Sequence, residues 1–347
     1  MTVRIGFIGC GGNANWHMDS LVKNAPEARI VAVTDLAFPK AEATASKHGA
    51  KPYASHKEML AHEDLDCCYI SIPPHQHGEP EIDVIQKGLP FFVEKPLATS
   101  LVLAEDILER IQRRGIKTCV GYQIRYLDIC DKAREMLKGQ FINAVNAHYV
   151  GGAPGGWYTR MALSGGQITE QATHLIDMMR FILGEIAWLA ATNRTGAKVT
   201  ADTLDATALS KGSAADAVAG LDVHDYNIWD ATALLMKFRS GIPATFMCSC
   251  QVPYMWDVIF DIFTTEFRLK LTFAGMEITR KAGAELKTET IPADDSRNID
   301  AVFVDAVKRN DFSNVRSDYA DALRSLRATL AATEAAMTGR IINLPAE

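Results

Sequence analysis

Two short stretches carry side chains of the types and spacing that move protons. In the first, Phe91-Phe92-Val93 runs into Glu94-Lys95-Pro96. Three apolar residues read as the end of a buried strand. Pro96, with no N–H and a fixed φ, stops it there. Lys95 is thereby held extended or in a turn, at the carboxyl end of a strand, where open α/β sheets bind their ligands. A solvated Glu-Lys pair on a loop is the bland reading of the same residues. In the second stretch, Gly165-Gly166 opens a helix expected to run to Gly184, with Glu170, His174 and Asp177 spaced four and three apart. That spacing puts them on one helix face, separate from the apolar set Ala172, Leu175, Ile176, Met179, Ile182 and Leu183. An imidazole titrates near neutral pH and can take a hydroxyl proton, with a carboxylate to orient it. A solvated polar face is the usual fate of such a pattern. Zinc is a second alternative, but no further cluster of soft ligands supports it, and no metal is expected.

Taking a hydroxyl proton is one half of a dehydrogenation, and a hydride acceptor is the other. The start of the chain has a place for one. Val3–Ile8 is a short β-branched run, followed at once by Gly9-Cys10-Gly11-Gly12-Asn13-Ala14 and a helix-like segment. This is the Gly-x-Gly-x-x-Gly/Ala pattern between strand and helix. Gly9 permits the tight turn, Gly11 lets the backbone approach a pyrophosphate, and Ala14 allows close helix–strand packing. Gly12 and Asn13 complete the expected phosphate cradle. A second strand, Ala28–Thr34, ends at Asp35, about 20 residues on, where a carboxylate accepts from ribose hydroxyls. No arginine adjoins Asp35, so NAD is expected in preference to NADP; a strand-end Asp starting a turn is the plain alternative.

Elements that could position these groups follow in order. Helices at Pro39–His48, His56–Ala61, Glu79–Lys87 and Leu101–Arg114, with Ser100 as N-cap, alternate with strands at Tyr53, Leu65–Ile72, Phe91–Val93 and Ile116–Tyr122. That alternation predicts a doubly wound parallel sheet. After Gly121 come a helix at Asp128–Leu137 and strands at Ile142–Val150, Ala187–Asn193, Ala231–Phe238, Ala244–Gln251, Val258–Phe263, Arg268–Phe273 and Met276–Arg280. Their short links suit an antiparallel or mixed sheet. Gly196–Asp225 reads as a long excursion with one short helix, and helices at Ile299–Lys308 and Asp318–Met337 close the chain. The division is an NAD-binding domain at 1–121 and a substrate and oligomerisation α/β domain at 122–347, whose last helices can pack back on the first.

A length of 347 residues fits about two domains. The composition, 48% hydrophobic and 22% charged, is that of an ordinary globular protein. A net charge of −6 without basic clusters argues against nucleic acid or an acidic membrane as partner. No apolar run reaches membrane-spanning length, and the N-terminus lacks a signal-peptide core. Seven cysteines without zinc or disulfide spacing fit reduced thiols in the cytoplasm.

In combination, Gly9-x-Gly11-x-x-Ala14, Ser71-Ile72-Pro73-Pro74-x-x-His77, Glu94-Lys95-Pro96, Gly121-x-x-x-Arg125 and Gly165-Gly166 through His174 to Asp177 resemble the glucose-fructose oxidoreductase, inositol dehydrogenase and MocA family. The resemblance spans nearly the whole chain. It implies an N-terminal Rossmann domain and a C-terminal α/β domain with a large open sheet, a sheet that in the family commonly mediates dimers or tetramers. It implies redox chemistry at a sugar or cyclitol carbon, with Lys95 and His174 facing that carbon, and cofactor contacts from the motif residues Ser71, Pro73, His77, Glu94 and Lys95. Two positions depart: Glu170 stands where the family often has Asp, and Ala172 where it often has Gly. Tyr122, Arg125, Trp157, Tyr158 and Arg160, near these motifs in sequence, and Asp177 are candidates for substrate contact, with core packing the equal alternative for the aromatics.

The leading expectation is an NAD-dependent oxidoreductase on a sugar, glycoside or cyclitol, acting as a homodimer or homotetramer. A redox-neutral glycosidase that borrows and returns the hydride is the alternative, and a non-catalytic dinucleotide-binding regulator the third. The fold alone does not separate them.

Overall fold

Short β-branched runs between amphipathic helices leave the first part of the chain one favourable arrangement, a parallel sheet with helices on its faces. The computed structural model describes residues 2–152, 156–196, 226–252, 254–294 and 296–346. Its first sheet contains β1 (Val3–Ile8), β2 (Ala28–Thr34), β3 (Lys51–Tyr53), β4 (Cys67–Ile70), β5 (Phe91–Val93) and β6 (Thr118–Val120). All pairs are parallel, in the order β3-β2-β1-β4-β5-β6. The helices between them are α1 (Gly12–Asn24), α2 (Phe38–His48), α3 (His56–His62), α4 (Glu79–Lys87) and α5 (Leu101–Arg114).

The register matters for function. Ile8 lies opposite Thr34 on one side and Ile70 on the other, Ile70 opposite Val93, and Val93 opposite Val120. The residues that follow, Asp35, Gly9, Ser71, Glu94 and Gly121, therefore emerge side by side at the carboxyl edge of the sheet. The strand order reverses between β1 and β4, and such a switch point is where open α/β sheets bind ligands.

The chain falls into two compact units, Met1–Gln123 with Arg297–Arg324, and Ile124–Ser296 with Ser325–Glu347. The second holds α6 (Asp128–Leu137), β7 (Ile142–Val150), α7 (Met161–Ser164), α8 (Gly166–Glu170), α9 (Thr173–Leu183), β8 (Ile186–Arg194), β9 (Ala231–Phe238), β10 (Pro243–Ser249), β11 (Asp257–Thr264), β12 (Phe267–Leu271), β13 (Gly275–Ala282) and β14 (Glu285–Pro292). Two helices follow, α10 (Ile299–Arg309) and α11 (Tyr319–Thr338), then β15 (Ile342–Asn343). Helix α10 belongs to the first unit, where it packs on α1.

The second sheet runs β14-β13-β12-β11-β7-β10-β9-β8-β15. Among the described residues only β7 and β10 of this sheet pair in parallel. Alternate strand residues such as Val145, Leu234, Phe246, Phe260 and Leu269 form one core with Ile129 of α6, Leu175 and Met179 of α9, and Ala328 and Ala332 of α11. On the other face Leu235, Met247 and Phe263 stand exposed.

Several expectations need correction. Ser100 precedes α5, but its side chain makes no capping bond. The strand expected over Ile116–Tyr122 is confined to Thr118–Val120, because the Tyr122 N–H turns back onto the Val120 carbonyl. β14 went unanticipated: all but one of its residues are exposed, so it carries no buried alternation to read, only the charges common at a sheet edge. The short helix expected within Gly196–Asp225 lies, apart from Gly196, outside the described residues. All seven cysteines are buried and none forms a disulfide.

Candidate active site

The glycine turn fits a dinucleotide. Gly9 sits at φ 102°, and a Cβ there would come within 2.1 Å of the Ser71 carbonyl oxygen. Only glycine allows β1 and β4 to end this close. A Cβ on Gly11 would meet nothing within 4 Å, so the space above the turn is open. Helix α1 starts there with no side-chain cap and no acid in its first turn. Its first N–H groups and positive dipole end suit an anion. Asn13 is exposed and Ala14 fully buried. Asn15 donates its amide to the carbonyls of Cys10 and Gly11 at 2.9 Å, bracing the turn.

Asp35 is tied to the same turn. Its Oδ2 accepts the Cys10 N–H and its Oδ1 the Ala37 N–H, each at 2.8 Å. A carboxylate so held still has lone pairs that could accept from ribose hydroxyls, and its charge would repel a 2′-phosphate. Binding measured by titration should favour NAD clearly over NADP. Changing Asp35 to Ser together with Leu36 to Arg should shift the preference toward NADP and weaken NAD by roughly tenfold or more, the scale of a lost charged hydrogen bond. Equal or tighter NADP binding by the unmodified protein contradicts this reading.

The Glu94-Lys95-Pro96 turn follows β5, and its Lys95–Pro96 peptide is cis. Lys95 is half-buried. Glu94 is buried, with Oε2 accepting the Lys95 backbone N–H at 2.9 Å and Oε1 2.6 Å from Nε2 of His17. The 310 turn Pro74–Gln76 after Pro73 delivers His77, which is fully buried with Nδ1 on Glu81. Glu81 also accepts the Gly78 N–H at 2.7 Å. Burial works to raise the Glu81 pKa, but the His77 charge and these hydrogen bonds hold it below the usual range.

In the second unit the helix expected from Gly165 to Gly184 is two helices, a correction with consequences. α8 ends at Glu170, and α9 begins at Thr173. Both the Gln171 and the Ala172 N–H turn to the Gln167 carbonyl, which breaks the i→i−4 ladder between Glu170 and His174. The three polar residues therefore do not share a continuous helix face. Glu170 stands near Tyr149 and Tyr158: burial raises both phenols and the Glu170 charge adds to it.

Asp177 is buried and makes a two-pronged ion pair with Arg125, both contacts 2.6 Å, and accepts from Ser325 at 2.5 Å. Pairing of this kind satisfies both charges internally. Arg125 and Asp177 thus fasten α9 to the segment before α6 rather than standing open for substrate. Tyr158 is buried with Ile228 and Cys250, its hydroxyl donating to Gln171 at 3.0 Å. Trp157 is half-buried edge-on to it, Arg160 is exposed, and Tyr122 is buried in the first unit.

Residues 3–122 match the model described as the oxidoreductase family with an NAD-binding Rossmann fold, and residues 135–270 match the GFO/IDH/MocA C-terminal domain. The chain belongs to the Gfo/Idh/MocA family. Inositol 2-dehydrogenase 3 of Saccharopolyspora erythraea is 31% identical over 190 residues, 53% of this chain and 55% of that protein. The matched stretch spans 54% to 60% of the length of the first three curated relatives. A putative NADPH-dependent oxidoreductase of Desulfitobacterium hafniense superposes with a TM-score of 0.83 at 20% identity, covering 99% of this chain and 98% of that one. A levoglucosan dehydrogenase in complex with NADH and levoglucosan gives 0.82 at 16% identity, covering 99% and 100%. At these identities the structures establish the shared fold.

Among family members the two-unit plan is thus shared, whereas the groups around the motifs of this chain come from its own coordinates. Sequence reasoning missed His17, Asp300, Glu81 and Asn15. Glu81 had a signal, the i,i+4 spacing from His77 at a helix start. His17 had one too: with Ala14, Met18 and Leu21 it occupies the buried stripe of α1, and a polar residue in a core stripe demands a buried partner. Asp300 is 283 residues away and gave no local sign. Among the described residues no His, Cys, Asp and Glu group has the makings of a metal site, and no helix is long and apolar enough to cross a membrane.

Proposed function

We propose that this protein is an NAD-dependent oxidoreductase acting on a CH–OH carbon of a sugar, glycoside or cyclitol. The observation that carries the reading is the row of Asp35, Gly9, Ser71 and Glu94 along one sheet edge, beside an uncapped helix N-terminus open above Gly11. Gly9, Gly11, Gly12, Asn13 and Ala14 would hold the pyrophosphate and Asp35 the ribose. Nicotinamide, when bound, supplies the hydride acceptor or donor.

The chain's own residues then handle the proton. Lys95, on a turn tied down by Glu94, positions or protonates the reacting oxygen. His174 takes the hydroxyl proton during oxidation and returns it during reduction. Glu170 either orients that imidazole or holds a substrate hydroxyl. Similarity to inositol dehydrogenases supports a polyhydroxylated ring as substrate. The face of the second sheet that bears the exposed Leu235, Met247 and Phe263 is our choice for the contact in a homodimer or homotetramer.

The test is a screen of sugars, glycosides, nucleotide sugars and inositols with NAD and with NADP, followed by NADH absorbance. At least one should give stoichiometric NADH. Aglycone release without net NADH and without added NAD would place the protein among redox-neutral glycosidases instead. NAD binding with no turnover on any class would leave the regulator reading.

A further inference from the structure

Behind Glu94 lie two further buried ionisable groups, His17 and Asp300, that the proposed chemistry does not use. His17 of α1 is 1% exposed, Asp300 of α10 is not exposed at all, and Glu94 is 6% exposed. The imidazole spans the two acids: Nδ1 is 2.7 Å from Asp300 Oδ1 and Nε2 2.6 Å from Glu94 Oε1. Aromatic rings surround it, with Phe92 edge-on at 4.7 Å and Tyr69 at 5.8 Å between centroids. Burial by itself would lower the His17 pKa, but the charge and hydrogen bond of Asp300, then those of Glu94, outweigh it and push it up to about 10. Each ring nitrogen thus has a carboxylate oxygen within hydrogen-bond distance.

Stability gives little reason for such a group. A buried ion triad can often be replaced by apolar side chains at no loss, and α1 already presents Ala14, Met18 and Leu21 to the sheet. What the triad supplies is geometry, and three separate segments are shaped around it. Asn298 caps α10, accepting the N–H groups of Asp300 and Ala301, which puts the Asp300 carboxylate in the first turn, where the helix dipole favours it. Ser20 donates to the same Asn298 from α1 at 3.2 Å. Gly121, at the end of β6, has no Cβ where one would lie 2.8 Å from Glu94 Oε2. That same Oε2 accepts the backbone N–H of Lys95.

We propose that His17 is a positioning residue for Lys95: clamped by Asp300, it fixes the Glu94 carboxylate, which in turn holds the backbone that carries the lysine. The proposal rests on the reading of Lys95 as the group that acts on the reacting oxygen. Its reach is narrower than the fold, because one oxygen of Glu94 goes to the clamp and the other to the turn. Losing the clamp should therefore loosen the turn and leave the phosphate cradle intact.

The test is a double-mutant cycle in the full-length protein, assayed on the substrate found in the screen. His17→Gln leaves two carboxylates facing a neutral amide, so His17→Gln/Asp300→Asn is made beside it to relieve the buried charge. At least one of them should unfold cooperatively and bind NAD within about threefold of the unmodified protein, with kcat lowered about tenfold or more, the scale of a misplaced reacting group. Glu94→Gln keeps an oxygen for the Lys95 N–H and should be milder. In a Lys95→Ala background the His17 change should cost less than about twofold, because the side chain it positions is gone. The same loss with or without Lys95, an unchanged kcat in a folded variant, or failure of both variants to fold would assign His17 a purely structural role. Near-normal turnover by Lys95→Ala alone would instead overturn the lysine reading, and this proposal with it.

Discussion

Replacing Lys95 by alanine is expected to lower turnover by about 10²-fold or more, the contribution of a positioned acid–base group, while dinucleotide affinity changes far less. The structure explains why the two effects should separate. Glu94 accepts from the backbone N–H at position 95, and that N–H remains when the side chain is removed. The turn should therefore keep its course, with the proposed cofactor cradle after β1 undisturbed. Lys95→Arg keeps the charge but cannot give up its proton at working pH. It should fall near the alanine variant if Lys95 transfers a proton, and well above it if Lys95 only polarises the oxygen. Steady-state rates at saturating NAD, with NAD titrations of each variant, decide the matter. An alanine variant with near-normal turnover would return Lys95 to a solvated loop.

Removing the imidazole of His174 should be comparably severe, again by about 10²-fold or more, and its signature lies in the pH profile. The base must be neutral to accept the hydroxyl proton. As pH falls the imidazole takes up a proton and can no longer do so, so oxidation declines on the acid side. Reduction runs through the protonated form and is favoured there. His174→Ala and His174→Gln should both lose the acid limb of the oxidation profile together with the rate. The break between α8 and α9 adds a second expectation. Glu170 closes α8 while His174 lies in the first turn of α9, so the carboxylate is not locked to the ring by a continuous helix, and Glu170→Gln should cost less than either histidine change. If both His174 variants keep most activity and the acid limb, the proton goes elsewhere, with Lys95 or Tyr122 the next candidates.

What the amino-acid order by itself determined about this protein is local. A glycine pair in the strand-to-helix turn, an acid closing the next strand and a proline stopping β5 can each be read, because each is set by the backbone preferences of a few neighbouring residues. The alternation of strands and helices gives the doubly wound sheet for the same reason. The one-helix reading of Gly165–Gly184 failed because side-chain periodicity does not reveal where a backbone carbonyl will take two N–H groups, as that of Gln167 does. Tertiary structure alone decided which charges are spent internally. Asp177 and Arg125 are 52 residues apart and each looked available for a ligand until packing brought them together. His17 and Asp300 come from opposite ends of the chain, and only the placement of α10 beside α1 in the first unit makes a buried pair of them. A buried charge must find its opposite wherever the fold happens to bring one, and no spacing along the chain records that meeting.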